Sequence, residues 1–226
     1  MKLCEKIGKY GPLLSTEYAD YLNKISVKTH VPTIVPDVKI AKLVKVVDHP
    51  SLFLPSDIHP DHILKAHRGS GLLLDLATVT EVNTVRKMMT KWADLLIARG
   101  IKPNFLIEEK ITDTIHGKTG AAVDYKFFCF HGKPQFFLCR DGMSNRNFYY
   151  LDYTPIKLSG KKVPPVDLTE MIRISEALSA PFSFVRIDLY NGTEGVYFGE
   201  YTFHVNAGKQ EFSDAIELKL GALWKD

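Results

Sequence analysis

The feature that most constrains the fold of this chain is a pair of alternating segments near its C-terminal end. Residues 184–190 and 196–203 alternate between apolar and polar side chains, and the turn-forming residues 191–195 separate them. A two-residue period predicts strands with one face in a core, and the turn between them predicts an antiparallel hairpin. The polar residues that share its outer face are Arg186, Asp188, Glu200 and Thr202.

The spacing in this hairpin predicts two carboxylates close together. If Tyr190 pairs with Val196, Glu200 lies opposite Arg186, and Asp188 and Glu200 are diagonal neighbours, about 7–8 Å apart at the backbone. Carboxylates on neighbouring strands can bridge one or two Mg²⁺ ions, which bring phosphate oxygens with them. A surface ion pair between Arg186 and Glu200 is the alternative, and a register slip of one residue would separate the carboxylates to opposite faces.

Other segments place this hairpin in an α+β fold with largely antiparallel sheets. The segments predicted as further strands are 39–47, 62–65, 72–76, 104–109, 124–130 and 135–140, with the last two forming a second hairpin. The segments predicted as helices are 15–30, which should stop before Pro32, 80–99, which should end at Gly100, and 168–180.

Composition restricts the function classes. The chain has 226 residues, of which 45% are hydrophobic and 24% charged, and this suits a globular domain with a sizeable core. The net charge is only +3 and the basic residues are interspersed, so we expect no nucleic-acid partner. No apolar run is long enough for a membrane span and no secretory signal is visible, so a cytoplasmic location is expected.

A second candidate site is the turn that follows Lys65. This turn contains Gly69, Ser70 and Gly71, whose backbone N–H groups, together with the lysine ammonium, suit a phosphate group. The segment matches neither the P-loop nor the dinucleotide-binding glycine pattern, and an ordinary basic surface turn is the alternative.

Two adjacent acids, Glu108 and Glu109, close the apolar strand 104–109. Because adjacent strand residues face opposite sides, one of these carboxylates can point into a cleft while the other faces solvent. A solvated strand end is the alternative. Cys129 lies within an aromatic run and is expected in the core, which argues against a thiol nucleophile.

The order of these segments resembles the TupA-like branch of the ATP-grasp family. The resemblance extends from about Tyr18 to the C-terminus and is most specific around 124–134 and 184–203. The segments that carry it are Lys65 with its glycine turn, then residues 105–109, 124–134, 146–149, 185–190 and 197–203.

The resemblance implies an ATP-grasp fold over residues 1–226, in which an N-terminal lobe (about 18–103) and a C-terminal lobe (104–226) clasp ATP. It implies an ATP-dependent carboxylate–amine ligase that uses Mg²⁺ and forms an amide through an acylphosphate. The branch is associated with attaching amino acids to acidic cell-surface polymers. The implied partners are therefore a small-molecule or saccharide carboxylate and an amine, in polysaccharide biosynthesis, and a homodimer is left open.

Individual roles also follow from the resemblance. The implied ATP-binding residues are Lys24, Lys65, Gly69, Ser70, Gly71, Glu108 and Glu109. The implied metal ligands are Asp188, Glu200 and Thr202, and the predicted catalytic residues are Lys65 and Arg186. Two positions depart from the usual patterns. His67 and Arg68 replace the Asn and His of the branch's glycine loop, and Thr202 stands where wider ATP-grasp enzymes have Asn.

Three other functions stay open at this point. A kinase-like phosphotransferase would use the same groups and stop at a phosphoester. A nucleotide-binding protein without turnover would fit the altered glycine loop. A glycosyltransferase could use metal-binding carboxylates and a basic cleft for a sugar nucleotide.

Overall fold

The computed structural model describes residues 1–69, 71–118, 122–142 and 145–225. The strands are β1 (Lys39–Ile40), β2 (Leu43–Val47), β3 (His62–Ala66), β4 (Leu73–Asp75), β5 (Phe105–Glu109), β6 (Asp124–Phe130), β7 (Lys133–Asp141), β8 (Asn145–Tyr150), β9 (Pro155–Lys157), β10 (Phe184–Gly192) and β11 (Gly195–Thr202). The helices are α1 (Leu3–Glu17), α2 (Val27–Ile34), α3 (Val82–Ile97), α4 (Leu168–Ser179) and α5 (Asp214–Gly221).

These strands form two sheets. One has seven strands in the order β1-β11-β10-β6-β7-β8-β9, and the other has four in the order β2-β5-β3-β4. β1 and β11 are parallel, whereas the other pairs are antiparallel. The predicted α+β class with largely antiparallel sheets is confirmed.

The chain divides into two units. Unit 1 comprises Met1–Leu22, Ser26–Ile40 and Thr112–Asp226, and it contains the seven-stranded sheet. Unit 2 comprises Asn23–Ile25 and Ala41–Ile111, and it contains the four-stranded sheet. Each unit has its own hydrophobic core.

Alternation along β10 builds the core of unit 1. Val185, Ile187 and Leu189 are fully buried, as their spacing predicts. The neighbouring hairpin of β6 and β7 turns through His131 and Gly132, whose φ angles of 49° and 74° suit a tight two-residue turn. The apolar faces of both hairpins therefore contribute to one core.

Helix α3 supplies the core of unit 2. Its residues Val85, Met89, Trp92 and Leu96 recur at helical spacing and are buried with residues of β3 and β5. The helix ends where Gly100 takes a φ of 69°, a left-handed conformation that glycine adopts without steric cost. The prediction of this helix and of its end is confirmed.

The predicted helix 15–30 is instead two helices with a break between them. α1 ends at Glu17 and α2 begins at Val27. Within the break, the side chain of Asn23 accepts a hydrogen bond from the N–H of Ile25 at 2.9 Å, a local turn that competes with helix formation. Pro32, expected to stop the helix, lies inside α2.

The bounds of the units also differ from the sequence-based lobes. β5 pairs with β2 and β3, so it belongs to unit 2 although the predicted boundary precedes it. The predicted strand 39–47 splits into β1 in unit 1 and β2 in unit 2. Pairing between distant strands decides these boundaries, and local sequence does not carry that information. None of the helices in the described part of the chain is long and apolar enough to cross a membrane.

Candidate active site

Three neighbouring strands of unit 1 bring charged residues onto one sheet face. β10 lies between β6 and β11, and Asp188 pairs with Lys126 on one side and with Glu200 on the other. Directly opposite residues of antiparallel strands share a face, so these three side chains form a row. The "carboxylate site" consists of Asp124, Lys126, Arg186, Asp188, Glu200 and Thr202.

The register of this hairpin differs from the prediction. Asp188 lies directly opposite Glu200, not diagonal to it, and Arg186 lies opposite Thr202, not Glu200. Two shifts cause the difference: Tyr190 pairs with Tyr197 and not with Val196, and a bulge follows, since the pair next to Leu189 and Phe198 is Asp188 and Glu200. One extra residue on β11 moves the carboxylates into direct opposition.

The extra residue of the bulge is Gly199. A Cβ atom there would lie 2.6 Å from Cε2 of Tyr190 and 3.0 Å from the carbonyl oxygen of Asp188. Both distances are shorter than van der Waals contact, so a side chain at this position requires Tyr190 or the backbone to move. Glycine at position 199 thus permits the close approach of the two strands.

Asp188 is a buried carboxylate held by two cations. Its side chain is 1% exposed. Arg186 donates from Nε to Oδ1 at 2.6 Å and from Nη2 to Oδ2 at 2.7 Å. Lys126 donates from Nζ to Oδ2 at 2.5 Å. Since an isolated buried charge is very costly, these contacts offset the cost of burying a carboxylate within the sheet.

The same cations reach the other members of the site. Nη2 of Arg186 donates to Oγ1 of Thr202 at 3.0 Å and lies 3.6 Å from Oε1 of Glu200. Nζ of Lys126 lies 3.1 Å from Oδ1 of Asp124. Although burial by itself lowers the pKa of Arg186, Asp188 and Glu200 raise it above its usual value. The six residues therefore form a connected network.

Tyr190 borders this network. Burial raises its pKa well above 10, and the nearby carboxylates of Asp124, Asp188 and Glu200 raise it further. Its phenol is accordingly neutral at physiological pH, and it can donate a hydrogen bond but cannot act as a base there.

Lys126 and Asp124 are functional candidates that the sequence did not single out. The signal was present, since Tyr125 and Phe127 alternate with them and are buried. That alternation places Lys126 on the polar face of β6. What was missing is the pairing of β6 with β10, which sets Lys126 beside Asp188.

A second candidate site lies in unit 2. Nζ of Lys65 on β3 lies 2.6 Å from Oε2 of Glu108 on β5, whose side chain is 4% exposed. Lys24 donates from its backbone N–H to the carbonyl of His67 at 3.1 Å and from Nζ to the carbonyl of Gly69 at 3.3 Å. We call Lys24, Lys65, Gly69, Gly71 and Glu108 of unit 2 the "lysine–glycine site", in which contacts join Lys65 to Glu108 and Lys24 to Gly69.

The turn in this site depends on glycine conformations. Gly69 has a φ of 96° and Gly71 a φ of 76°, in the region that side-chain-bearing residues avoid. Ser70, predicted to bind phosphate, lies outside the described residues. Buried His67 anchors the turn through contacts of its N–H and of Nδ1 with the carbonyl of Asn104, at 2.9 and 3.1 Å. Burial lowers the pKa of His67, and Arg68 and Lys24 act in the same direction, against the hydrogen bond to Asn104.

Glu109 differs from Glu108, in agreement with the predicted alternation of faces. Its Oε1 lies 2.7 Å from Nζ of Lys42, and both side chains are well exposed. Glu108 is the buried member of the pair and Glu109 the solvent-facing one. Glu108 is therefore the stronger candidate for a site residue.

The carboxylate site fits a magnesium ion in its donor chemistry. Mg²⁺ is usually held by one or two carboxylates together with substrate phosphates and waters. Asp188 and Glu200 provide two carboxylates on one face, and Thr202 adds a hydroxyl oxygen. Among the described residues no cluster of three or more His, Cys, Asp and Glu suits a metal ion. Asp188, Glu200 and Thr202 supply only part of an octahedral ligand shell, so phosphate oxygens and waters would supply the rest.

Several solved D-alanine ligases have a similar fold. The D-alanine–D-alanine ligase of Helicobacter pylori superimposes with a TM-score of 0.54 at 17% identity, covering 91% of this chain and 61% of that one. D-alanyl-alanine synthetase A of Vibrio cholerae superimposes with a TM-score of 0.51 at 16% identity, covering 90% of this chain and 60% of that one. The D-alanine–D-alanine ligase of Bacillus anthracis, in a complex with ATP, superimposes with a TM-score of 0.51 at 12% identity, covering 90% of this chain and 61% of that one. The predicted ATP-grasp fold is confirmed.

A family profile assigns the chain more specifically than the similarity of folds does. The family profile described as TupA-like ATPgrasp matches residues 15–225. The chain belongs to this family, which confirms the resemblance seen in its sequence. The chain spans only about 60% of the length of the ligase structures named above. A search of curated protein sequences finds no match.

Proposed function

We propose that this protein is an ATP-dependent carboxylate–amine ligase that requires Mg²⁺. Membership of the ATP-grasp family supports the use of ATP. The observation that carries the proposal is the row of Lys126, Asp188 and Glu200 with Arg186 beside it, because it combines two facing carboxylates with two cations. In-line phosphoryl transfer needs this combination of metal-binding and phosphate-stabilising groups.

The reaction proceeds in two steps. A carboxylate oxygen of the substrate attacks the γ-phosphorus of ATP, the bond to the bridging oxygen breaks, and ADP leaves. The amine then attacks the acyl carbon of the resulting acylphosphate, inorganic phosphate departs, and the amine loses a proton. The products are an amide, ADP and phosphate, so no further reactant is needed.

Residues of the carboxylate site hold the charges of the first step. Asp188, Glu200 and Thr202 are the proposed ligands of Mg²⁺, which when bound would neutralise and orient the phosphate oxygens. Arg186 is fixed by Asp188 and Thr202, so its guanidinium is held in place before the reaction. A positioned cation stabilises the charge that develops on the transferred phosphoryl group without reorganising.

Residues of the lysine–glycine site are the proposed phosphate ligands of ATP. Lys65 and Lys24 supply ammonium groups, and the turn with Gly69 and Gly71 supplies backbone N–H groups. Lys65 is held by the buried Glu108, so its side chain is directed by the sheet. Ser70 and Glu109 keep the ATP-binding roles predicted for them as part of this proposal.

The substrate is proposed to be an acidic sugar or polysaccharide precursor, joined to an amino acid or another amine. The support is the resemblance of the sequence to the TupA-like branch. The cytoplasmic location and the homodimer considered above stay predictions.

Product analysis tests the proposed reaction. Purified protein, ATP and Mg²⁺ are incubated with a panel of uronic acids and amino acids, and ³¹P NMR and mass spectrometry identify the products. We expect ADP and phosphate only when both an acid and an amine are present, together with an amide. Hydroxylamine in place of the amine should trap the acylphosphate as a hydroxamate. A stable phosphoester would overturn the ligase proposal in favour of a kinase.

Site variants test the assignment of residues. Glu200→Gln should abolish turnover, whereas Glu194→Gln, in the exposed turn of the same hairpin, should leave it unchanged.

Lys65→Met should weaken ATP binding by about 1.5–3 kcal/mol, or about ten- to a hundredfold, through the lost charged contact. Lys87→Met on the exposed side of α3 is its control. Equal ATP affinity of the two lysine variants would remove Lys65 from the site.

A further inference from the structure

The donor groups around Asp188 oppose binding of a metal ion on its own. Oδ2 accepts hydrogen bonds from both Lys126 and Arg186, and Oδ1 accepts one from Arg186. A carboxylate oxygen has about two lone-pair directions, so Oδ2 is fully used. These contacts are buried, since the side chains are 9%, 13% and 1% exposed for Lys126, Arg186 and Asp188.

Charge repulsion adds to this competition. A Mg²⁺ ion bound to Oδ2 at its usual distance of about 2.0–2.1 Å would lie within a few ångströms of the ammonium of Lys126. Water screens such repulsion poorly at a buried site, so it is much stronger there than at a surface. The site can accept the ion only if a cation leaves Asp188 or if negative charge is added nearby.

The two cations differ in how firmly they are held. Arg186 contacts both oxygens of Asp188 and also Thr202, in a planar, two-point arrangement. Lys126 makes one contact with Asp188 and one with Asp124, through a single ammonium on a flexible stem. Lys126 is therefore the cation that can be exchanged, and Asp124 is a second partner already in place for it.

We propose that Lys126 is a positioning residue that occupies the metal position at Asp188 until nucleotide arrives, so that a divalent ion binds together with the nucleotide and not before it. Negative phosphate groups draw the ammonium of Lys126 away from Oδ2, and the ion that accompanies them takes the vacated oxygen. The ordered site thereby avoids both an unpaired buried carboxylate and a metal ion without its phosphate ligands. This inference rests on the proposed Mg²⁺-dependent function of the same site.

Binding of Mn²⁺ without nucleotide, followed by electron paramagnetic resonance and isothermal titration calorimetry, tests the proposal. The wild-type protein should bind Mn²⁺ weakly, and Lys126→Met should bind it at least about tenfold more tightly, because a buried competing charge is removed. Lys126→Gln, which keeps a polar side chain, should show the same gain and serves if the methionine variant does not fold. Lys126→Arg should bind Mn²⁺ as weakly as wild type. Lys133→Met, an exposed lysine on β7, is the control and should not change the affinity.

One outcome would overturn the proposal: neither Lys126→Met nor Lys126→Gln binds Mn²⁺ more tightly than the wild-type protein does. Calorimetry with ADP in the presence of Mg²⁺ is run in parallel, and lack of ADP binding to wild type would count against the proposed function itself. ADP binding with no gain in Mn²⁺ affinity would count against the role of Lys126 alone.

Discussion

The two candidate sites hold their charges in different ways. In unit 1, a carboxylate that is 1% exposed is contacted by two cations, one on its own strand and one on the neighbouring strand of a seven-stranded sheet. In unit 2, a carboxylate that is 4% exposed is contacted by Lys65, which is itself 21% exposed, next to a glycine turn. The first site is fixed by strand register, whereas the second combines a strand residue with a loop.

This difference indicates which site tolerates change. When a buried charge loses one of its buried partners, water cannot take the place of that partner. When one member of a partly exposed ion pair is lost, the remaining charged group can be hydrated in part. We therefore expect substitutions in the carboxylate site to affect folding as well as activity, and substitutions in the lysine–glycine site to affect mainly ligand binding.

The largest effect is expected for Asp188→Asn. The substitution leaves the buried cations Arg186 and Lys126 without a full negative partner, and breaking such a buried group typically costs about 3–5 kcal/mol. Hydrogen exchange of β6 and β10 peptides should show the loss of stability in unit 1. Asp214→Asn, at an exposed ion pair with Lys2, should change little. Similar exchange rates in both variants would contradict the role given to burial.

A smaller effect is expected for Glu108→Gln in unit 2. The variant removes the charge that faces Lys65, and a hydrogen bond to a charged group is worth about 1.5–3 kcal/mol. Partial hydration of Lys65 offsets some of this loss. Hydrogen exchange of β3 and β5 peptides measures the remaining loss of stability in unit 2. A loss as large as that of Asp188→Asn would remove the contrast between the two sites.

Gly199→Ala tests the bulge that aligns the carboxylates. The added methyl group meets the ring of Tyr190, and such overpacking costs about 1–3 kcal/mol. The expected result is lower thermal stability together with weaker Mg²⁺-dependent ATP binding, measured by thermal shift and calorimetry. Gly142→Ala, where no atom lies within 4 Å of the added carbon, controls for added volume, although its positive φ adds backbone strain. Unchanged ATP binding in Gly199→Ala would separate the bulge from the site.

The smallest effect is a pH dependence that originates in His67. Because burial lowers its pKa in the folded protein, the unfolded chain takes up the proton first as the pH falls below about 6.5. Stability present above that pH is therefore lost as the pH falls, at up to about 1.4 kcal/mol per pH unit. His67→Gln should flatten the urea-unfolding profile between pH 7 and 5, relative to the exposed His49→Gln. If the profiles of His67→Gln and His49→Gln run parallel, the pH dependence does not originate in His67.

Local patterns were sufficient for several elements. The alternation of Val185, Ile187 and Leu189 predicted a core-facing strand, and the polar face of that strand carried Asp188. The helical spacing of Val85 to Leu96 and the glycine at position 100 predicted α3 and its end. Short-range periodicity carries this information because it is set by backbone geometry.

Patterns were insufficient where distant segments meet. The split of residues 39–47 between two sheets depends on which strands they pair with, and the break at Asn23 depends on a side-chain contact that competes with a helix. The direct opposition of Asp188 and Glu200 depends on the bulge at Gly199. A one-residue change of register is nearly invisible in a sequence, yet it changes every cross-strand neighbour.

The sequence by itself determined the α+β class, the family resemblance and the residue types available for binding phosphate and metal. Only the tertiary structure decided that Lys126 and Arg186 share the carboxylate of Asp188 and that Glu108 holds Lys65. The physical reason is range. Periodicity depends on neighbours a few residues apart, whereas the pairs Lys65–Glu108 and Lys126–Asp188 join strand residues that are 43 and 62 positions apart in the chain and become adjacent only when the sheets form.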